Sequence, residues 1–169
     1  MGKTVAGLQE GIMKVRMLPV RHVFNKFPRM VRDLSKALGK EVKLVFEGED
    51  TEIDKTVIDT LDEPLLHMIR NAIDHGIEPP EERITKGKNR EGRITLSALQ
   101  ESNYVVIKIR DDGRGINFDS IREQGIRQGL LSPEETLDKD TTLSLIFSSG
   151  FTTKSQATDV SGRGIGLDV

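Results

Sequence analysis

Hydrophobic and polar positions follow two rhythms along the chain. Val5, Leu8, Ile12 and Val15 recur at helical spacing as far as Pro19, which predicts a helix over 5–18 that the proline ends. Phe27, Met30, Val31, Leu34 and Leu38 repeat the rhythm, with Pro28 near the start and Gly39 placed as a C-terminal cap, so a second helix is predicted over about 28–38. Val42, Leu44 and Phe46 alternate with Lys43 in the manner of a half-buried strand, and Glu47-Gly48-Glu49-Asp50 turns the chain. Asp54 suits the cap of a helix carrying Val57, Ile58 and Leu61, and Pro64 an early position of the next one. Strands are predicted over 93–99, with Ile94, Leu96 and Ala98 inward, and over 104–110, with Val105, Ile107 and Ile109 inward; Glu101-Ser102-Asn103 makes the hairpin. Helical spacing returns over about 118–130 and 141–147, with loops over 129–140 and 148–161. This order predicts an α+β fold, a layered sandwich in one domain without internal repeats, with the first helix a candidate for a different packing unit.

One stretch breaks the ordinary surface pattern. From Leu61 to Gly76 the residues Leu61, Leu65, Met68, Ile69, Ala72 and Ile73 fall on one helical side, as a core face does. The opposite side carries His67, Asn71 and Asp74 at i, i+4 and i+7, with His75 beside them, where Lys and Glu are usual. An imidazole, an amide oxygen and a carboxylate are donors for Mg²⁺, directly or through its water shell, and can accept or pass a proton. A solvated face with two chance histidines explains the helix equally well when it is taken alone.

Composition narrows the chemistry. With 25 basic and 27 acidic side chains in 169 residues the net charge is only −2, so no bulk field favours nucleic acid or an anionic membrane, and a bound anion must be caught locally. The absence of cysteine removes disulfides, thiol nucleophiles and thiolate metal sites, and suits a reducing cytoplasm. No signal peptide is visible and no apolar run is long enough to span a bilayer.

Five of the sixteen glycines lie in two short boxes. Asp111-Asp112-Gly113-Arg114-Gly115 follows directly on a predicted strand, where backbone can approach a ligand closely and Asp111 can accept from an exocyclic amine such as that of adenine; a common Asp-Gly turn is the plain alternative. Ser161-Gly162-Arg163-Gly164-Ile165-Gly166-Leu167 looks like a phosphate cradle leading into a helix. It neither follows a strand as a dinucleotide fingerprint does nor ends in the Gly-Lys-Ser/Thr of a Walker loop. Between the boxes, Phe147 to Lys154 and the small polar residues up to Thr158 read either as a lid ordered by ligand, with Lys154 able to meet a phosphate, or as an inert surface loop.

Taken in order, His67 to Gly76, Asp111 to Gly115, Phe147 to Lys154 and Gly162 to Gly166 resemble the four boxes of the histidine-kinase ATPase superfamily. The wording is most similar to the chemotaxis sensor kinases, because His67 stands where most relatives carry Glu, and through Arg16 to Val20, Phe27 to Met30 and Asp74 to Glu78. The resemblance implies a two-layer α/β sandwich of Bergerat type, with ATP between the first-box helix and the loops. It implies His67 as the catalytic residue, His67 and Asn71 toward Mg²⁺, and nucleotide contacts from Asn71, Asp74, His75, Asp111, Gly113, Gly115, Lys154, Ser161, Gly162, Arg163, Gly164, Gly166 and Leu167. The implied reaction moves the γ-phosphoryl group of ATP to a histidine on a separate phosphotransfer domain; a nucleotide-binding module without kinase activity is the alternative. Residues 1–18 would be the end of a dimerisation helix and 19–169 an ATP-binding catalytic domain, incomplete at its C-terminus because the family continues through further strands. Further implied partners are response regulators, indirectly, a receptor and coupling protein through absent regions, and a second copy of the full-length protein, with no nucleic acid. The implied location is the cytoplasm.

Overall fold

A computed structural model describes residues 16–132 together with 141, 142 and 144. The chain divides into two compact units, Met1–Gly115 and Ile116–Val169.

The first unit opens with a short strand, β1 (Met17–Pro19), and two helices, α1 (Arg21–Phe24) and α2 (Phe27–Ala37). Strands β2 (Val42–Glu47) and β3 (Glu52–Asp54) follow, then the long helix α3 (Lys55–Asn71), which runs into a π-helical turn over Ala72–Gly76. A short helix, α4 (Pro80–Thr85), leads to the hairpin of β4 (Gly92–Glu101) and β5 (Tyr104–Asp111). The main sheet has the order β2-β4-β5. Its first pair is parallel, with Leu44 beside Ile94, and its second is antiparallel, with Glu101 opposite Tyr104 across a two-residue turn in which Ser102 takes a φ of 51°. A separate antiparallel ribbon joins β1 to β3.

The parallel pair forces a crossover, and α3 lies within it, as parallel pairing requires. Ile69 and Ile73 from the helical segment, Ile94 and Leu96 from β4, and Val20, Val23 and Phe24 from the first turns are all fully buried in one core. The Phe24 and Phe46 rings stack with centroids 5.4 Å apart. Each such aliphatic side chain contributes about 1.5–3 kcal/mol on burial, so the helix that carries the polar face is fixed to the sheet by its other side. The architecture is the expected α+β sandwich, with helices against a mixed sheet.

Several local expectations hold. Asp54 caps α3, accepting from the Thr56 N–H at 2.7 Å and its hydroxyl at 2.5 Å. Gly39 ends α2 with a φ of 63°. Ile94, Leu96 and Ala98 are buried, while Val105, Ile107 and Ile109 pack half-buried against the core.

Others need correction. Met17–Pro19 is a strand, so the predicted helix does not reach residue 18; its backbone groups are met by β3, and residues 5–15 lie outside the described residues. Pro64 opens no new helix and sits inside α3, where burial of Ile58 and Leu65 on one face outweighs the roughly 3 kcal/mol that an internal proline costs. The α-helical phase stops at Asn71: Ile77 donates to the Ala72 carbonyl at 2.8 Å, five residues back, so the turn widens at the end of the polar face. Met68 and Leu38, expected inward, are more than a third exposed.

In the second unit, α5 (Phe118–Arg127) is capped by Asn117, whose side-chain oxygen accepts from the Ser120 N–H at 3.0 Å, and it buries Ile121. Of the predicted helix over 141–147, residues 141, 142 and 144 are described and are helical; the predicted loop over 148–161 lies outside the described residues.

Candidate functional site

The first box and the first glycine loop meet at the end of the helix. Asp111 is the last residue of β5, and its Oδ1 accepts from the Gly113 N–H at 3.0 Å, which folds the carboxylate back over the loop. There it lies against Gly76, whose imaginary Cβ would stand 3.1 Å from Asp111 Oδ1. Arg114 N–H donates to the Gly76 carbonyl at 2.9 Å, so the loop is bonded to the π-helical turn. The fit leaves no room for a side chain: a Cβ on Gly113 would fall 2.2 Å from the Gly76 oxygen. Gly115 has a φ of 71° with open space beside it, which provides the left-handed step out of the loop.

The helical turn is held from its other end. Lys40, one residue beyond the Gly39 cap, donates its ammonium to the carbonyls of Ile73 at 2.6 Å and Asp74 at 2.8 Å. These belong to the carbonyls that a helix terminus leaves without intrahelical partners, and a cation there also suits the helix dipole. Burial pushes the Lys40 ammonium below its ordinary range, against the opposite pull of Asp74.

His67 and Asn71 stand four residues apart on α3, both half-buried, and neither side chain has a hydrogen bond or ion pair among the described residues. Asp74 and His75 lie in the widened turn, with His75 Nε2 3.4 Å from Asp74 Oδ2. An amide and an imidazole on one face are two donors at most, and no group of three or more His, Cys, Asp or Glu able to hold a metal occurs among the described residues. Such a pair fits a cation that arrives with phosphate and water ligands of its own, the usual habit of Mg²⁺. The remaining expected contacts, Lys154, Ser161, Gly162, Arg163, Gly164, Gly166 and Leu167, lie outside the described residues.

Behind the loop is a set of charges that sequence reasoning missed. Glu78 and Arg83 are buried, at 0% and 1% exposure, and pair at 3.2 Å. Arg83 also donates to Asp112 Oδ2 at 2.9 Å and to the carbonyls of Asn89 and Asp112 at 2.7 and 3.3 Å. Lys88 reaches Glu78 at 2.9 Å and the carbonyls of Asp112 and Gly113 at 3.1 and 2.7 Å. The second oxygen of Asp112 accepts from the Arg93 N–H at 2.8 Å. Burial alone would raise the Glu78 carboxyl, yet the Lys88 hydrogen bond and the Lys88 and Lys86 charges bring it down to about 2. Three acids and three cations within residues 78–88 were the available signal; without the fold they read as a solvated helix surface.

The two adjacent aspartates are therefore divided in role. Asp112 is spent on Arg83 and the Arg93 backbone, whereas Asp111 keeps its second carboxylate oxygen without a hydrogen bond among the described residues. A half-satisfied acceptor over a glycine floor, at the end of a helix bearing an unpaired amide and imidazole, is a place where a ligand with an amino edge can be read.

Comparisons with known proteins give the family of the chain. Residues 56–169 match the family model of the histidine kinase-, DNA gyrase B- and HSP90-like ATPases. Over 169 residues the chain is 47% identical to the chemotaxis protein CheA of Treponema pallidum, and over 164 residues 48% identical to that of Bacillus subtilis. It is 49% identical over 164 residues to the sensor histidine kinase CheAY of Helicobacter pylori. These alignments cover 100%, 96% and 96% of the chain but only 21%, 24% and 20% of the relatives' lengths. No helix among the described residues is long and apolar enough to cross a membrane. The chain belongs to the histidine kinase-, DNA gyrase B- and HSP90-like ATPase family.

Proposed function

We propose that this chain is the ATP-binding catalytic core of a chemotaxis-type histidine kinase, which passes the γ-phosphoryl group of ATP to a histidine on a separate phosphotransfer domain. The observation that carries the reading is the closure of the Asp111 loop on Gly76: the base-reading carboxylate sits at the end of the helix that bears His67 and Asn71. Its second oxygen would accept from the exocyclic amine of adenine, and the missing side chains at Gly76 and Gly113 let the loop close on the turn and hold that carboxylate in place. The triphosphate then runs back along the polar side of α3. Asn71 and His67 would hold Mg²⁺ there through amide oxygen and imidazole nitrogen. The ion, when bound, would offset negative charge on the phosphates.

In the transfer, a nitrogen of the substrate imidazole bonds to the γ-phosphorus while the bond from that phosphorus to the β,γ-bridging oxygen breaks, and ADP leaves with the electron pair. Catalysis of this kind is mostly alignment and charge neutralisation. His67 is suited to take the proton that the attacking imidazole gives up from its other nitrogen, or to fix the ion instead. Gly162, Gly164 and Gly166 would add backbone N–H groups around the phosphates, and Lys154 a cation. In the parent protein we place the phosphotransfer domain as direct partner, response regulators downstream, and receptor, coupling protein and a second copy as assembly partners.

The test is transfer of γ-labelled phosphate from ATP to a separate phosphotransfer domain by the full-length parent. Labelling that His67→Ala abolishes while ATP binding persists supports the kinase. Firm ATP binding without any labelling by the unaltered protein would assign the chain to nucleotide-gated modules instead.

A further inference from the structure

The hydrogen bonds behind Asp111 run through two consecutive peptide planes. In the first, the Asp112 carbonyl accepts from Lys88 at 3.1 Å and Arg83 at 3.3 Å, while the N–H of the same plane, on Gly113, donates to Asp111 Oδ1 at 3.0 Å. In the second, the Gly113 carbonyl accepts from Lys88 at 2.7 Å, while the N–H, on Arg114, donates to the Gly76 carbonyl at 2.9 Å. A trans peptide is rigid, so fixing its oxygen fixes the direction of its N–H. One ammonium therefore sets both donors that shape the binding surface. A cation on the carbonyl also polarises the plane and strengthens the bond its N–H makes.

We infer that Lys88 is a positioning residue for base recognition: by holding the Asp112 and Gly113 carbonyls it aims the Asp111 carboxylate, and so sets how strongly an amino-bearing base is preferred. The inference rests on the reading of Asp111 as the adenine acceptor. Glu78, buried and bonded to both Arg83 and Lys88, supplies the opposite charge that keeps the two cations in place without using Asp111 for that purpose. Arg83 shares the first plane but is almost wholly buried and braces four backbone or carboxylate groups besides, so its loss acts first on stability. Lys88 is a third exposed and can be changed with less damage.

The experiment compares ATP with inosine triphosphate, which carries an oxygen in place of the exocyclic amine, on the full-length protein. The unaltered protein should bind ATP about tenfold or more tightly than inosine triphosphate, the size expected of one well-made hydrogen bond. Asp111→Asn should bring that ratio close to one. Lys88→Met should lower it several-fold while leaving inosine triphosphate affinity within about twofold, and Lys88→Gln should fall between. Amide exchange at Gly113 and Arg114 should quicken in Lys88→Met by about tenfold. A merely structural lysine would weaken both nucleotides together and leave the ratio alone; that result, with unchanged exchange at Gly113, overturns the inference while leaving Asp111 as the reader. An unaltered protein that fails to prefer ATP overturns the reading of Asp111 and this inference with it. Should Lys88→Met fail to fold, Lys88→Gln with the full wild-type ratio and wild-type exchange would overturn it equally.

Discussion

Two charged regions of one domain lie close in sequence and differ in almost every physical respect. The set of Glu78, Arg83, Lys88 and Asp112 is paired throughout, each partner answering another or a backbone carbonyl. The face of His67 and Asn71 is half-exposed and leaves both side chains without partners among the described residues. A buried charge must be satisfied or it destabilises the fold, whereas an exposed donor can wait for a ligand. The first region holds the loop in shape, and the second is open to chemistry. The adjacent aspartates show the division at its finest: Asp112 is bonded to Arg83 and to the Arg93 N–H, whereas Asp111 is folded over Gly76 with one oxygen left unbonded among the described residues.

The contrast is broken if residues of both regions cost the same thing when removed. Arg83→Met should have the largest effect on stability, about 3–5 kcal/mol by denaturant unfolding, because Glu78 would be left buried without its closest guanidinium. Gly113→Ala should come next. Its methyl has no space beside the Gly76 carbonyl, so the loop must move, with about 1–3 kcal/mol lost and ATP affinity down more than tenfold by calorimetry. The Glu78 ion set should also show in acid. Its carboxyl lies below the ordinary 4.5, so its stabilisation is fully present above that pH and is lost as pH falls toward about 2; Glu78→Gln should flatten this part of the pH profile by roughly 1–3 kcal/mol. Smallest in stability, and decisive for the comparison, is His67→Ala: within about 0.5 kcal/mol of the parent in unfolding, yet without detectable transfer to the phosphotransfer domain. A large loss of stability there would show that His67 belongs to the structural set.

The legible parts of the molecule were those with local causes. The Asp54 cap, the Gly39 stop and the alternation in β4 and β5 each depend on neighbours in sequence, and each formed as the pattern predicts. The family boxes identified Asp111 and Gly113, and the structure brings both to Gly76. The illegible parts had long-range causes. The β1–β3 ribbon is three residues long on each side, too short for a periodic signal, and exists because the partner strand is there. Pro64 reads as a helix start in isolation, yet the buried flanks of Ile58 and Leu65 carry the helix through it. The π-helical turn depends on Lys40 and Arg114 arriving at its carbonyls, from residues 33 and 38 positions away from Ile73 and Gly76. Arg83 looked like any cation in a charged helix because nothing in its own neighbourhood shows that Asp112, 29 residues on, returns to it and closes the ion set over Glu78.

The parallel register of Val42–Glu47 beside Gly92–Ser97 has a kinetic consequence. That ladder cannot close until residues 48–91 have been gathered, and loop-closure entropy is lost before the non-local contacts compensate for it. Helix α3 can gain local structure early, but Asp111 reaches Gly76 only after β5 has docked on β4. In a refolding chain, recovery of nucleotide affinity should therefore lag behind recovery of helical circular dichroism.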